Sequence, residues 1–291
     1  MSFGDTQSTS NWLIAFLAAL VAWGAICTLS AVADTMQQIR DRTRLIVAVY
    51  KDFAPFSDDG EGIDVDIARA LAEKLGLTAE IISFKDGETV DDDLRNVIWK
   101  GHFLWKQPLA DVMMHVPVDR DLARKNGMVT ILAPYFSEQL VVARNRKRIP
   151  QLVTLDALIG ERIAVQFDTI EDHYLMNSFG GLLRENVVHF GTMGEAVAAL
   201  RKNEVAAVMG IRTQIESRMA GAGADYAIAP VATPGLALTG WDIGVAVNAG
   251  NPELAALVEK AMAEMRKDGT LKWIFTKHGL TYPARHGSGN E

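Results

Sequence analysis

The stretch Leu45-Ile46-Val47-Ala48-Val49-Tyr50, with Phe53-Ala54-Pro55-Phe56 and Gly62-Ile63-Asp64-Val65-Asp66-Ile67-Ala68 after it, decides the fold of this 291-residue chain. A short, apolar, β-branched run bounded by charges reads as a strand buried on both faces. Pro55 forbids a helix directly after it, which leaves the aromatics at the strand's carboxyl end. From Asp64 the apolar period changes to that of a helix, with Ile67, Ala70, Leu71 and Leu75 on one face and Gly76 to close it.

The same alternation continues outward. Ala79 to Phe84 reads as a strand, Leu94, Val97 and Ile98 mark a helix ended near Gly101, and Asp111 to Val116 is a third strand. Further on the pattern restarts. A short helix at Thr154 to Leu158 precedes a strand at Arg162 to Gln166 and a helix at Glu171 to Ser178. A strand at Val187 to Phe190, a helix at Met193 to Lys202 and a strand at Val205 to Met209 complete the second unit. Ile243 to Val247 is a strand, and Asn251 caps a long helix from Pro252 to Lys267. Alternating β and α predicts a mostly parallel sheet covered by helices, and two such units in one chain predict two lobes. Ligands of such sheets sit beyond the carboxyl ends of the strands, so a cleft between the lobes is the expected site.

Composition narrows the function. With 49% hydrophobic and 22% charged residues the chain is globular, and a net charge of −7 argues against nucleic acid as a partner. Trp12 to Leu29 is almost wholly apolar and leads into Ala31-Val32-Ala33, a small-x-small pattern read as a leader cleaved after Ala33; an uncleaved N-terminal anchor is the alternative. Either way the rest lies outside the cytoplasmic membrane. The one cysteine, Cys27, falls inside that segment, so the mature part has no disulfide and no thiolate chemistry. Six histidines show no His-x-x-x-His pair, and Asp91-Asp92-Asp93 reads as a helix start rather than a cation site. No nucleophile elbow, phosphate-cradling loop or dinucleotide fingerprint occurs, so no cofactor, no metal and no catalytic residue are assigned, and the chain is read as a non-enzyme.

The order of these segments resembles the periplasmic solute-binding proteins of amino-acid-type ABC importers (family 3), whose architecture is the two-lobed type II periplasmic-binding fold. The likeness rests on Phe53 to Phe56 with Gly62 to Ala68, Ala110 to Met114, Pro134-Tyr135-Phe136, Leu155 to Gln166 with Thr169, and Asn251 to Leu254 through Asp268 to Leu271. It implies residues 1–33 as leader, 34–140 as the first part of lobe 1, 141–234 as lobe 2, 235–283 as the return to lobe 1 and 284–291 as a tail. Two hinge crossings are placed near Glu138 to Ala143 and Pro230 to Leu238. A membrane permease is the implied partner, the periplasm the implied location, and a small polar or anionic solute the implied ligand.

The resemblance brings forward Phe53 and Phe56 for stacking and His115 and Asp119 at the end of the third strand. It adds Arg124 or Arg120 for an anionic group, and Thr169 and Arg212 from lobe 2. The site also departs from the family. Phe167-Asp168-Thr169 stands where a Gly-Ser/Thr-Thr turn would bind an anion, and Asp168 would repel a carboxylate. Ile211, followed by Arg212, stands where an aspartate would hold an α-ammonium, so ordinary α-amino acids are doubtful ligands. His102, Phe103 and Trp105, in an insertion between helix and strand, are candidate partner contacts. Together these departures keep two alternatives open: an accessory protein engaging a periplasmic quinoprotein (PQQ) alcohol dehydrogenase, and a binding protein for metal-ion uptake.

Overall fold

The computed structural model describes residues 35–104, 107–236 and 239–282, all within one compact unit that begins at Asp34. The segment 1–33, read above as a leader, Trp105 and the residues after 282 lie outside the described residues.

The chain opens with helix α1 (Met36–Asp41), capped by Thr35, and enters β1 (Arg44–Tyr50). Along β1 the side chains alternate between two cores: Leu45, Val47 and Val49 face one, Ile46 and Ala48 the other. That is the physical meaning of an unbroken apolar run, a strand with protein on both sides. Helix α2 (Ile63–Lys74) buries Ile63, Val65, Ile67 and Leu71, and returns the chain to β2 (Thr78–Phe84), which pairs parallel with β1. A short helix α3 (Val90–Leu94) runs into a π-turn at Arg95–Trp99, and β3 (Val112–Pro117) then pairs parallel on the other edge of β1.

After helix α4 (Arg120–Lys125) comes a feature the sequence did not suggest: β4 (Val129–Asn145) is one 17-residue strand that serves both lobes. Up to Gln139 it pairs antiparallel with β9 (Gly240–Asn248); from Leu140 it pairs antiparallel with β7 (Ala207–Ile211) on one edge, and from Val142 with β8 (Tyr226–Ala229) on the other. Lobe 2 is completed by β5 (Ile163–Gln166), α5 (Ile170–Asn177), β6 (Val187–Phe190), α6 (Met193–Arg201), α7 (Arg212–Met219) and β8 (Tyr226–Ala229). Two closing helices, α8 (Pro252–Lys267) and α9 (Thr270–Lys277), pack back on lobe 1.

Each lobe thus has a parallel trio, β2-β1-β3 and β6-β5-β7, and antiparallel strands only at the hinge side. The two lobe-1 cores draw on residues up to Phe136 and after Trp241, and the two lobe-2 cores on residues 140–236. The expectation of mostly parallel sheets holds for the trios and fails for β4, β8 and β9. The lobes are joined by a continuous hydrogen-bonded strand, whose pairing passes from β9 to β7 and β8 between Gln139 and Val142.

Candidate functional site

On the lobe-1 side the site is built around His115. A bulge in the β3–β9 ladder between Met113 and Val116 puts His115 at φ 61, a left-handed conformation that re-aims its side chain. Its Nδ1 lies 3.1 Å from Oδ2 of Asp64, a carboxylate with no solvent exposure at the start of α2. The other oxygen of Asp64 accepts a 2.5 Å hydrogen bond from the Tyr135 hydroxyl. Burial and the neighbouring Asp64 hold the Tyr135 phenol well above its usual range, so it stays a donor. Around the imidazole stand Phe53 and Phe56, with ring centroids 4.7 and 4.2 Å away, and Tyr50 at 6.5 Å. Phe53 and Phe56 stack on each other at 5.8 Å. The outcome is an aromatic wall at the carboxyl ends of the lobe-1 strands, with a buried acid behind it; Phe56, 2% exposed, is part of the lobe-1 core and offers no face for a ligand to stack on, which corrects its assignment as a stacking residue.

On the lobe-2 side a cavity of about 320 Å³ is lined by Gln166, Asp168, Thr169, Ile170, Glu171, Ile211 and Gln214, with Leu140 and Trp241 from the two hinge strands. Thr169 caps α5: its Oγ1 accepts from the Asp172 amide and donates to the Gln166 carbonyl at 2.8 Å. Asp168, at φ 62, bonds His173 through Oδ1 at 3.0 Å, and its amide donates to Oδ2 of Asp172. Glu171 is 3% exposed and makes no ion pair with a described residue; burial pushes its carboxyl above the usual range.

The structure brings together Phe53, Phe56 and His115 on one lobe and puts Thr169 on the other. Asp119 instead caps α4, accepting from the Leu122 amide at 2.8 Å, and Arg120 is exposed at the start of that helix. Arg124 is exposed on the same helix and ion-paired with Asp121, one turn away. Arg212 is held by Glu216 at 2.7 Å and donates to the carbonyl of Thr281 at 3.1 Å, so it ties lobe 2 to the C-terminal segment of lobe 1. An anion site on these arginines finds no support in that arrangement, because each paired guanidinium already has its carboxylate. Phe103 is 88% exposed, His102 lines a separate cavity of about 70 Å³ with Lys85, Asp93 and Gln107, and Trp105 is not described. Among the described residues no group of three or more His, Cys, Asp or Glu is arranged to hold a metal, and no helix is long and apolar enough to cross a membrane.

Sequence reasoning placed a hinge crossing near Glu138 but gave its side chain no role. It is buried in β4, accepts from the Thr213 amide and hydroxyl, and stands opposite Trp241 in the β4–β9 ladder. Burial raises its carboxyl above the usual 4.5. A raised carboxyl pKa means the folded state holds the proton more tightly than the unfolded state. Its contribution to stability is therefore complete below pH 4.5 and is lost as pH rises through the raised value. Glu138→Gln should flatten this decline, so the gap in melting temperature between variant and parent should widen from pH 4.5 to pH 8 in favour of the variant. A constant gap across that range would assign the pH response to other groups.

Two α/β lobes on a shared strand define the type II periplasmic-binding fold. Over 84% of its length the chain superposes on an ancestral cationic amino acid solute-binding protein, covering 99% of that chain, with a TM-score of 0.64 and 21% identity. It is similar in sequence to the L-cystine-binding protein TcyJ of Escherichia coli strain K12, at 24% identity over 83% of this chain and 85% of the relative. A probable ABC transporter arginine-binding protein, ArtJ of Chlamydia trachomatis, is 24% identical over 92% of this chain and 96% of the relative. No protein-family model matches. The chain shares this fold over most of its length and is similar in sequence, at 24% identity, to two proteins named for binding amino acids.

Proposed function

We propose that the chain is the solute-binding component of an ABC-type importer, working outside the cytoplasmic membrane and delivering a small polar solute to a membrane permease. The observation that carries this is the change of partner along β4, which makes a pivot directly beside a cavity lined by both hinge strands and lobe 2. A solute bridging the lobes favours the closed arrangement by its differential affinity for it. The relatives are named as an L-cystine-binding protein and a probable ABC transporter arginine-binding protein, in keeping with a non-catalytic role. Neither name bears on a dehydrogenase, so the accessory reading draws nothing from them. Since the cavity lining carries two carboxylates and no Arg or Lys, the polar half of the expected ligand class is retained and the anionic half is set aside.

The test is a thermal-shift screen of small metabolites followed by small-angle scattering on each hit. A true solute at about 100 times its Kd should stabilise the protein by about 2.7 kcal/mol and reduce the radius of gyration as the cleft shuts. Stabilisation by no small solute of any class would overturn the proposal.

A further inference from the structure

The lobe-2 half of the cleft is built against carboxylates. A helix start binds an anion through amide N–H groups left without partners inside the helix. At the start of α5 the protein's own side chains already occupy such donors: the Asp168 amide goes to Asp172 at 3.0 Å, and the Asp172 amide goes to Thr169. The Glu171 carboxyl folds back on its own amide and on Thr169. A solute carboxylate entering here would meet Asp168 and Glu171 with no cationic side chain in the lining. Arg124 and Arg212 have their carboxylates elsewhere, in Asp121 and Glu216.

What the cavity lacks is positive charge. Glu171 is almost fully buried and lines a space of about 320 Å³ whose lining holds no Lys or Arg, and its carboxyl is met only by its own amide and Thr169. A buried carboxylate without a counter-charge is unfavourable unless something brings one. Asp168 lines the same space, its Oδ1 bonded to the exposed His173 Nε2 at 3.0 Å, while Gln166 and Gln214 add amide groups and Trp241 an indole. Building on the solute-binding reading above, we infer that the solute is an organic cation without a carboxylate, an amine or guanidine whose charged group sits between Glu171, Asp168 and Trp241.

The matched probes are agmatine and L-arginine, which share guanidinium and chain and differ by the carboxylate, with 1,4-diaminobutane as a second amine. Calorimetry on the purified protein should show agmatine or the diamine binding at least tenfold more tightly than arginine. Glu171→Gln should weaken the bound amine at least tenfold, and Asp168→Asn, at an exposed position where folding is safe, should weaken it severalfold. Arginine binding as tightly as agmatine or more so would overturn the inference, as would amine binding unchanged in both variants. If no organic cation binds but a neutral or anionic solute shuts the cleft, the inference falls and the importer reading stands. If no small solute of any class binds, both fall.

Discussion

Replacing Asp64 by alanine is expected to lower folding stability by about 3 kcal/mol, while Asp64→Asn should cost no more than about 1. Asp64 has no solvent exposure, accepts from the fully buried Tyr135 hydroxyl and approaches His115 Nδ1. Alanine would leave the phenol donor without its acceptor and the imidazole nitrogen without its partner in a region that water does not reach, and an orphaned buried polar group costs about 1 to 3 kcal/mol. Asparagine keeps one oxygen for Tyr135 and offers an amide N–H to the imidazole. Chemical denaturation of both variants reads the difference. Equal losses would mean that the carboxylate's charge, and not its two contacts, matters to the fold; a loss below about 1 kcal/mol for alanine would remove Asp64 as the anchor of His115.

The expected consequence reaches the site. His115 sits in a left-handed bulge that its packing against Phe53 and Phe56 and its contact with Asp64 hold in place. A residue kept in a sparsely populated backbone region needs its surroundings to fix it. Loosening Asp64 therefore frees the aromatic wall as well as weakening the core.

Local periodicity made the parallel trios legible. β1, α2 and β2 lie within a residue or two of where their apolar spacing puts them, because each buries its pattern against a neighbour close in sequence. β4 was not legible as a strand. Pro134, the left-handed Ala133 and partners that change midway interrupt its period, and what holds it is pairing with β9 and β7, strands far along the chain. The helix α4 escaped for a related reason, since its six residues bury no side chain completely.

The site was half legible. Phe53, Phe56 and His115 stood out because aromatics follow a buried strand and a histidine ends another, and they do come together. Arg124 looked like an anion anchor and Arg212 like a ligand contact because a sequence shows a charge and not its partner. The partners, Asp121 and Glu216, lie one helical turn away, a spacing at which an internal pair competes with any ligand. Glu171 was hidden for the opposite reason. An acid in the first turn of a helix is ordinarily a dipole partner in water, and only the fold shows that this one is buried against a cavity.

Gly62→Ala is expected to be at least as damaging as Asp64→Ala, at about 3 kcal/mol or more, and to weaken solute binding with it. Gly62 lies at φ 131, where only glycine sits without strain. A Cβ there would stand 2.2 Å from the Phe56 carbonyl oxygen and 2.9 Å from the Ser57 amide nitrogen, both backbone atoms that no rotamer change can move aside. The close approach exists because the aromatic turn and helix α2 are laced together: the Ile63 amide donates to the Pro55 carbonyl at 3.1 Å and the Asp64 amide to the Phe56 carbonyl at 2.9 Å. Displacing Phe56 by the ångström or so that alanine demands would break this lacing and shift the ring that rests on His115. Gly60→Ala is the control two residues away. Gly60 also has a positive φ, of 79°, but a Cβ there meets nothing within 4 Å. Its cost should be only about 1 kcal/mol, from backbone conformation alone. Denaturant melts and solute titrations on the two variants separate the causes: equal losses would show that backbone conformation governs both positions, and a large excess for Gly62 locates the constraint in the turn that presents the aromatic wall to the cleft.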